Sequence, residues 1–211
     1  MEKKSRKISP RAIVVPAMLS AIAFVLMFIE FPIPIMPSFV KLDISDLPAL
    51  LGSFALGPVY GCIIELIKNL LHILIKGTSS AGVGELFNFL CGSFFAVTAG
   101  LIYKAKRTRG GAILASIMGC IVMAILSLPL NYWLVYPAYV KFYGLPLEVI
   151  VGMYQAILGP IAEVPTSNAL FNCLFVFNVP FTLCKGLIDA IICYFIYKPL
   201  SPVLHGRKKE A

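Results

Sequence analysis

Charged side chains are scarce in this sequence. They make up 13% of its 211 residues, against 59% hydrophobic, and the mean hydropathy is +0.90. One soluble core of this size cannot hide that much apolar surface, so the chain reads as an integral membrane protein. Catalytic signatures are missing as well. There is no H-E-x-x-H, no G-x-S-x-G and no His-rich cluster, and the two histidines, His72 and His205, stand too far apart for a local metal motif. With no nucleophile–base pairing and no metal site in view, an enzyme is the weaker class. No Walker A sequence occurs, which excludes an ATP site of the chain's own. Six cysteines (Cys62, Cys91, Cys120, Cys173, Cys184, Cys193) lie singly without a C-x-x-C, and they read as small packing residues.

What is present is a succession of apolar runs. The length fits about six spans of roughly 20 residues each, predicting an all-α bundle over residues 12–198 between basic tails at 1–11 and 199–211. The first run, 12–29, has no A-x-A-like cleavage site after it and is expected to be a retained span. The net charge of +8 is explained by topology. Thirteen of the eighteen Lys and Arg fall before the first span, in the loop around Lys104 and Arg109, or in the tail from Lys198. With six spans and both termini cytoplasmic, all thirteen lie on the inner side, the positive-inside pattern. No basic motif supports a nucleic-acid partner.

The stretch 31–61 organises the chain. Pro32, Pro34, Pro37 and Pro48 preclude a continuous helix there, while Lys41, Asp43, Ser45 and Asp46 are too polar for lipid. Such a segment belongs at an interface or along a cavity, and residues 31–46 are expected to form a lid over a ligand. In span 1, Ala17 and Ala21 are four apart with Ser20 beside them, a smooth face for packing in the bundle or for another transmembrane helix. Span 2, about 47–56, is short and ends at Gly57-Pro58. Span 3, about 59–75, carries Glu65, Lys68, Asn69 and His72 on one face, which must point into protein or water. An internal Glu65–Lys68 pair and a ligand site are both compatible with that face.

Span 4 is expected from about Glu85, whose carboxylate complements the helix dipole, and it places Asn88 just inside the membrane. Span 5, 111–130, is followed by NYWLVYPAY at 131–139. An aromatic interfacial belt accounts for Trp133 and some of the tyrosines there, but not for Asn131. Residues 141–167 read as an outer loop with a short helix over 149–158. The last span, from about 170 to 197, is kinked or started by Pro180 and carries Asn178, Lys185 and Asp189. Lys185 and Asp189 could pair on one face. Neutral amides, one lysine and aromatic rings at the outer ends of spans 4 to 6 suit a planar, uncharged, hydrogen-bonding small molecule.

The run FPIP, the segment KLDISDLPALLGSFALGPVYG, IKNLLH followed by GVGELFNF, and NVPFTLCKG together resemble the riboflavin-specific substrate-binding subunits (S components) of energy-coupling factor transporters. The resemblance covers roughly residues 12–197. It implies a six-helix S component that captures riboflavin at the outer face of a prokaryotic cytoplasmic membrane, as a transported ligand and not a cofactor. It further implies a transmembrane coupling protein and two cytoplasmic ATPases as partners. Carried over by position, Asn131, Asn178 and Lys185 meet the flavin ring, Leu42, Asp43 and Asn88 complete the pocket, and Ala17 and Ala21 dock on the coupling protein. Two alternatives are an S component for another vitamin or nucleobase-like compound, and a membrane enzyme acting on lipid around Glu65, Lys68 and His72.

Overall fold

The computed structural model describes residues 9–37, 40–78, 80–144, 146–158 and 168–205. Of the two basic tails, residues 1–8 and 206–211 lie outside that set. Ser9 caps the first helix, its side chain accepting from Ala12 N at 3.3 Å, so α1 (Pro10–Met27) begins before the expected boundary at 12. A two-stranded antiparallel hairpin follows, with Phe31 opposite Leu42 and Pro32 opposite Lys41. Then come α2 (Leu47–Leu56), α3 (Pro58–Lys76), α4 (Val83–Ala105), α5 (Arg109–Leu130), α6 (Tyr136–Tyr143), α7 (Leu147–Leu158), α8 (Ala169–Cys173) and α9 (Val179–His205). Among the described residues, five helical stretches are long and apolar enough to cross a membrane, while α2, at ten residues, and α7, at twelve, are shorter apolar helices. Side chains such as Val14, Val25, Leu74, Ile125 and Phe195 point outward and uncovered, as lipid-facing residues should.

Between α2 and α3 only one residue turns the chain. Gly57 has a φ of +115°, a conformation that L side chains rarely adopt, and Pro58 starts α3 at once. The two helices therefore return against each other closely. A Cβ on Gly61 would lie 2.6 Å from Ser53 Oγ, 2.9 Å from Ala96 Cβ and 3.0 Å from the Ala49 carbonyl. Ser53 in turn donates to the Ala96 carbonyl at 2.6 Å. Helices in lipid gain little from excluding water, so close approach of small residues must supply the attraction. Leu50, Ile64, Phe95 and Ala99 fill the centre at 0% exposure.

The structure revises three parts of the sequence reading. Residues 131–143 are helical and not an aromatic surface segment: α5 runs through a π-helical turn at Asn131–Val135 straight into α6. Trp133 is 73% exposed, as a belt residue would be, but Tyr136 is buried. The last span also continues through a π-helical turn, Leu174–Asn178, which links α8 to α9 ahead of Pro180. Each π turn directly precedes a proline, Pro137 or Pro180, whose ring has no N–H and crowds the carbonyl four residues back. Within the expected outer loop, the short helix expected over 149–158 is present as α7, α6 extends to Tyr143, and residues 159–167 lie outside the described set. Finally, Ser20 does not share the Ala17–Ala21 face. Both alanines are exposed, whereas Ser20 is buried and donates to the Pro16 carbonyl at 2.8 Å.

Substituting Gly61→Ala should lower stability by about 1–3 kcal/mol through overpacking against backbone. A drop in the thermal unfolding midpoint of purified protein checks this, and an unchanged midpoint would refute the close packing of α2, α3 and α4.

Candidate functional site

One face of α3 carries Glu65, Lys68, Asn69 and His72, and all four are buried. The Lys68 ammonium lies 2.6 Å from Glu65 Oε2 and 2.6 Å from Asp46 Oδ1, and it donates to Ser45 Oγ at 3.0 Å. The internal-pair reading of this face therefore describes the structure, with Asp46 as a third member that the sequence reading did not pair. Gly92 on α4 makes room for it, since a Cβ there would sit 2.5 Å from the Glu65 carboxylate.

Asp46 also joins this cluster to α9. Lys185 Nζ lies 3.0 Å from Asp46 Oδ2 and 3.2 Å from Asp43 Oδ2. Asp43 is held in turn by the backbone N–H and hydroxyl of Ser45, at 2.8 and 2.5 Å. The expected Lys185–Asp189 pair is not made. Asp189 is buried, and neither of its oxygens has a hydrogen-bond partner among the described residues. The ammonium turns toward the two carboxylates at the hairpin end of the bundle because that end is polar.

Above this cluster lies a cavity of about 540 Å³. Its wall brings together Asp43 from the hairpin segment, Asn88 of α4, Asn131 and Asn178 of the two π turns, and Lys185 of α9. Residues up to 142 positions apart in sequence thus converge, although Leu42, paired with Phe31 in the hairpin, is not on the wall. Val40, Phe87, Met123, Val135, Ile150, Met153 and Phe181 supply the apolar surface. A larger groove of about 1070 Å³ lies at the opposite end of α4, around Tyr103, Arg107 and Tyr197, but no carboxylate or amide lines it. Among the described residues, carboxylates and amides line the cavity at the hairpin end and not this groove.

The sequence reading missed several wall residues. Glu85 does more than complement a helix dipole: it lies 3.2 Å from His72 Nδ1 and accepts from the hydroxyls of Thr78 and Ser80 at 2.9 and 3.1 Å. The facing segments N-L-L-H-I (69–73) and G-E (84–85) on either side of the α3–α4 turn were the available signal. Glu30 tethers the hairpin, with Lys41 at 2.5 Å and Lys76 at 3.2 Å. Partial burial works to raise the Glu30 pKa, but the two ammonium groups outweigh it and hold the carboxyl below its ordinary value.

Among the described residues no group of His, Cys, Asp and Glu is arranged to hold a metal ion. A helical membrane bundle with an amide-lined cavity beside a polar hairpin is suited to capturing a solute. The class is a membrane-embedded solute-binding protein. The family model for "ECF transporter, substrate-specific component" matches residues 11–197, and the chain belongs to that family.

Among relatives, it is 37% identical over 188 residues to "Riboflavin transporter RibU" of Staphylococcus aureus (strain TCH60), covering 89% of each chain. It is 33% identical over 200 residues to "Riboflavin transporter FmnP" of Bacillus subtilis (strain 168), covering 94% of this chain and 96% of that one. A solved structure described as "Structure and mechanism of the S component of a bacterial ECF transporter" superposes with a TM-score of 0.67 at 36% identity, covering 91% and 96% of the two chains. The family is a transporter component and not an enzyme.

Replacing Lys68 with Met strands two buried carboxylates, and the expected cost is about 3–5 kcal/mol. Thermal unfolding of Lys68→Met should show it, with partial recovery when Glu65→Gln and Asp46→Asn are added. A Lys68→Met variant as stable as the parent would contradict the ion cluster.

Proposed function

We propose that the protein captures riboflavin in the hairpin-covered cavity at the outer face of a prokaryotic cytoplasmic membrane, for uptake by an energy-coupling factor transporter. The observation that carries this reading is the convergence of Asp43, Asn88, Asn131, Asn178 and Lys185 on one wall, joined to relatives named as riboflavin transporters. The cavity volume falls within the roughly 300–1,000 Å³ usual for small-molecule sites. A flavin ring is planar, with an apolar xylene end and an alternating donor–acceptor edge. Its faces suit the aliphatic and aromatic wall, and its edge suits two amides and an ammonium. Lys185 already gives two of its three N–H groups to Asp43 and Asp46, which leaves one donor for a ring carbonyl. The ribityl hydroxyls fit the Glu85–His72–Ser80 cluster.

On this reading the six-span bundle, α2 counted as a span, has both termini in the cytoplasm, and the exposed Ala17–Ala21 face docks on a transmembrane coupling protein. Two cytoplasmic ATPases then supply the energy for which this chain has no Walker A site.

Purified protein should carry or take up a yellow flavin and quench riboflavin fluorescence, and Lys185→Ala should weaken binding tenfold or more, from the loss of about 1.5–3 kcal/mol in a charge-assisted bond. Absence of both flavin absorption and quenching would sink the proposal. Ala21→Trp should abolish co-purification with the coupling protein while leaving flavin quenching intact. Retained co-purification would remove that face from the interface.

A further inference from the structure

The short helix α7 sends two side chains into the protein, Ile150 and Tyr154. Tyr154 is 0% exposed and is not on the cavity wall. Its hydroxyl donates to Asn178 Oδ1 at 2.6 Å and lies 2.6 Å from the Tyr136 hydroxyl, itself buried in the same cluster. A phenol has a single proton. Because Tyr154 gives its proton to Asn178, Tyr136 is the donor between the two tyrosines, and the chain runs Tyr136 to Tyr154 to Asn178. Three separate elements contribute: α6, α7 and the π turn before α9.

An amide side chain has two faces, and a half-turn about its last torsion exchanges donor for acceptor. A bond from Tyr154 to the oxygen of Asn178 makes the NH2 group its donor face, and with the Tyr136 hydroxyl also hydrogen-bonded to this side chain, one N–H is left for a ligand. The other cavity amide is set the opposite way. Asn131 Nδ2 donates to the Ser127 carbonyl at 2.9 Å, leaving Oδ1 as its acceptor. One amide thus keeps a donor for a ligand and its neighbour keeps an acceptor. That combination fits a ring edge on which a carbonyl adjoins an N–H, and it opposes the reversed pattern.

We propose that Tyr154 is a positioning residue for ligand selection: without touching the ligand, it fixes the amide of Asn178 as a donor, backed by Tyr136. This rests on the riboflavin reading above. It assigns α7 a function in recognition and accounts for two buried hydroxyls that packing alone would not require. Removing the Tyr154 hydroxyl frees the Asn178 amide to turn, so the cost should appear as lost discrimination together with lost affinity.

The test is fluorescence-quenching titration of the full chain in detergent with riboflavin and with an analogue carrying sulfur, a weaker acceptor, in place of a ring carbonyl oxygen. Wild-type protein is titrated first; if it fails to bind riboflavin, the parent reading fails. Given wild-type binding, Tyr154→Phe should weaken riboflavin about fivefold to tenfold, the worth of one neutral hydrogen bond. It should also narrow the preference for riboflavin over the sulfur analogue. In an Asn178→Ala background the same substitution should change affinity little, because the group it positions is gone. Equal losses of affinity in both backgrounds, or an unchanged preference, would overturn the proposal. Should Tyr154→Phe not fold, Tyr136→Phe serves instead, with a smaller affinity loss and the same narrowing expected, and an unaltered preference again overturning it.

Discussion

A lysine at the middle of a membrane helix has nowhere to put its charge except against a carboxylate. Lys68 meets that constraint twice over, with Glu65 one turn away on its own helix and Asp46 at the start of α2. Desolvating these groups is costly, and only close pairing offsets the cost. The consequence is architectural. Asp46 can reach Lys68 only if the segment after the hairpin folds down onto α3, so the pair fixes where α2 begins. It thereby sets how the Pro-rich stretch leaves the bundle. Asp46 carries a second oxygen, and that oxygen binds Lys185 of α9. One carboxylate thus ties the first half of the chain to the last helix.

The two π-helical turns solve a different problem. A straight helix would repeat its polar positions along one stripe and bury each against a neighbour. Inserting an extra residue per turn swivels the helix locally and redirects the residues at its edge. Asn131 opens one such turn and Asn178 closes the other, and both line the cavity. The local geometry has an identifiable cause in Pro137 and Pro180, each just downstream, where a regular helix would force a ring against a carbonyl. Two widely separated sequences use the same device to present an amide.

Much of the bundle was legible from composition and punctuation. The α2–α3 turn followed from Gly57-Pro58, the buried face of α3 from the spacing of Glu65, Lys68 and His72, and the short α2 from the length between Asp46 and Gly57. The outward turn of Ala17 and Ala21 was undecided from spacing, which registers small residues but not which way they point. Continuation of α5 past Asn131 was illegible because an aromatic-rich segment has the same composition in an interfacial belt and in a buried helix. The partner of Lys185 was misread for a related reason. Spacing along one helix makes Asp189 the obvious candidate, but pairing in the folded chain depends on Asp43 and Asp46, some 140 residues earlier. The part played by Glu85 was hidden because its hydrogen bonds to His72, Thr78 and Ser80 form only once α3 and α4 turn back on each other.

The hairpin beside the cavity is not held by contacts of its own making. Its two paired residues per strand are far too few for independent stability. It is held at its edges by charge, Glu30 between Lys41 and Lys76 on one side and Asp43 against Lys185 on the other. Lys185 is at once a tether of the hairpin segment and part of the cavity wall. The partly exposed pairs of Glu30 with Lys41 and Lys76 are individually weak, commonly under about 1 kcal/mol, whereas the pair of Asp43 and Lys185 is mostly buried and costly to break. The hairpin segment is thus anchored firmly to α9 through Asp43 and more loosely to α3 through Glu30.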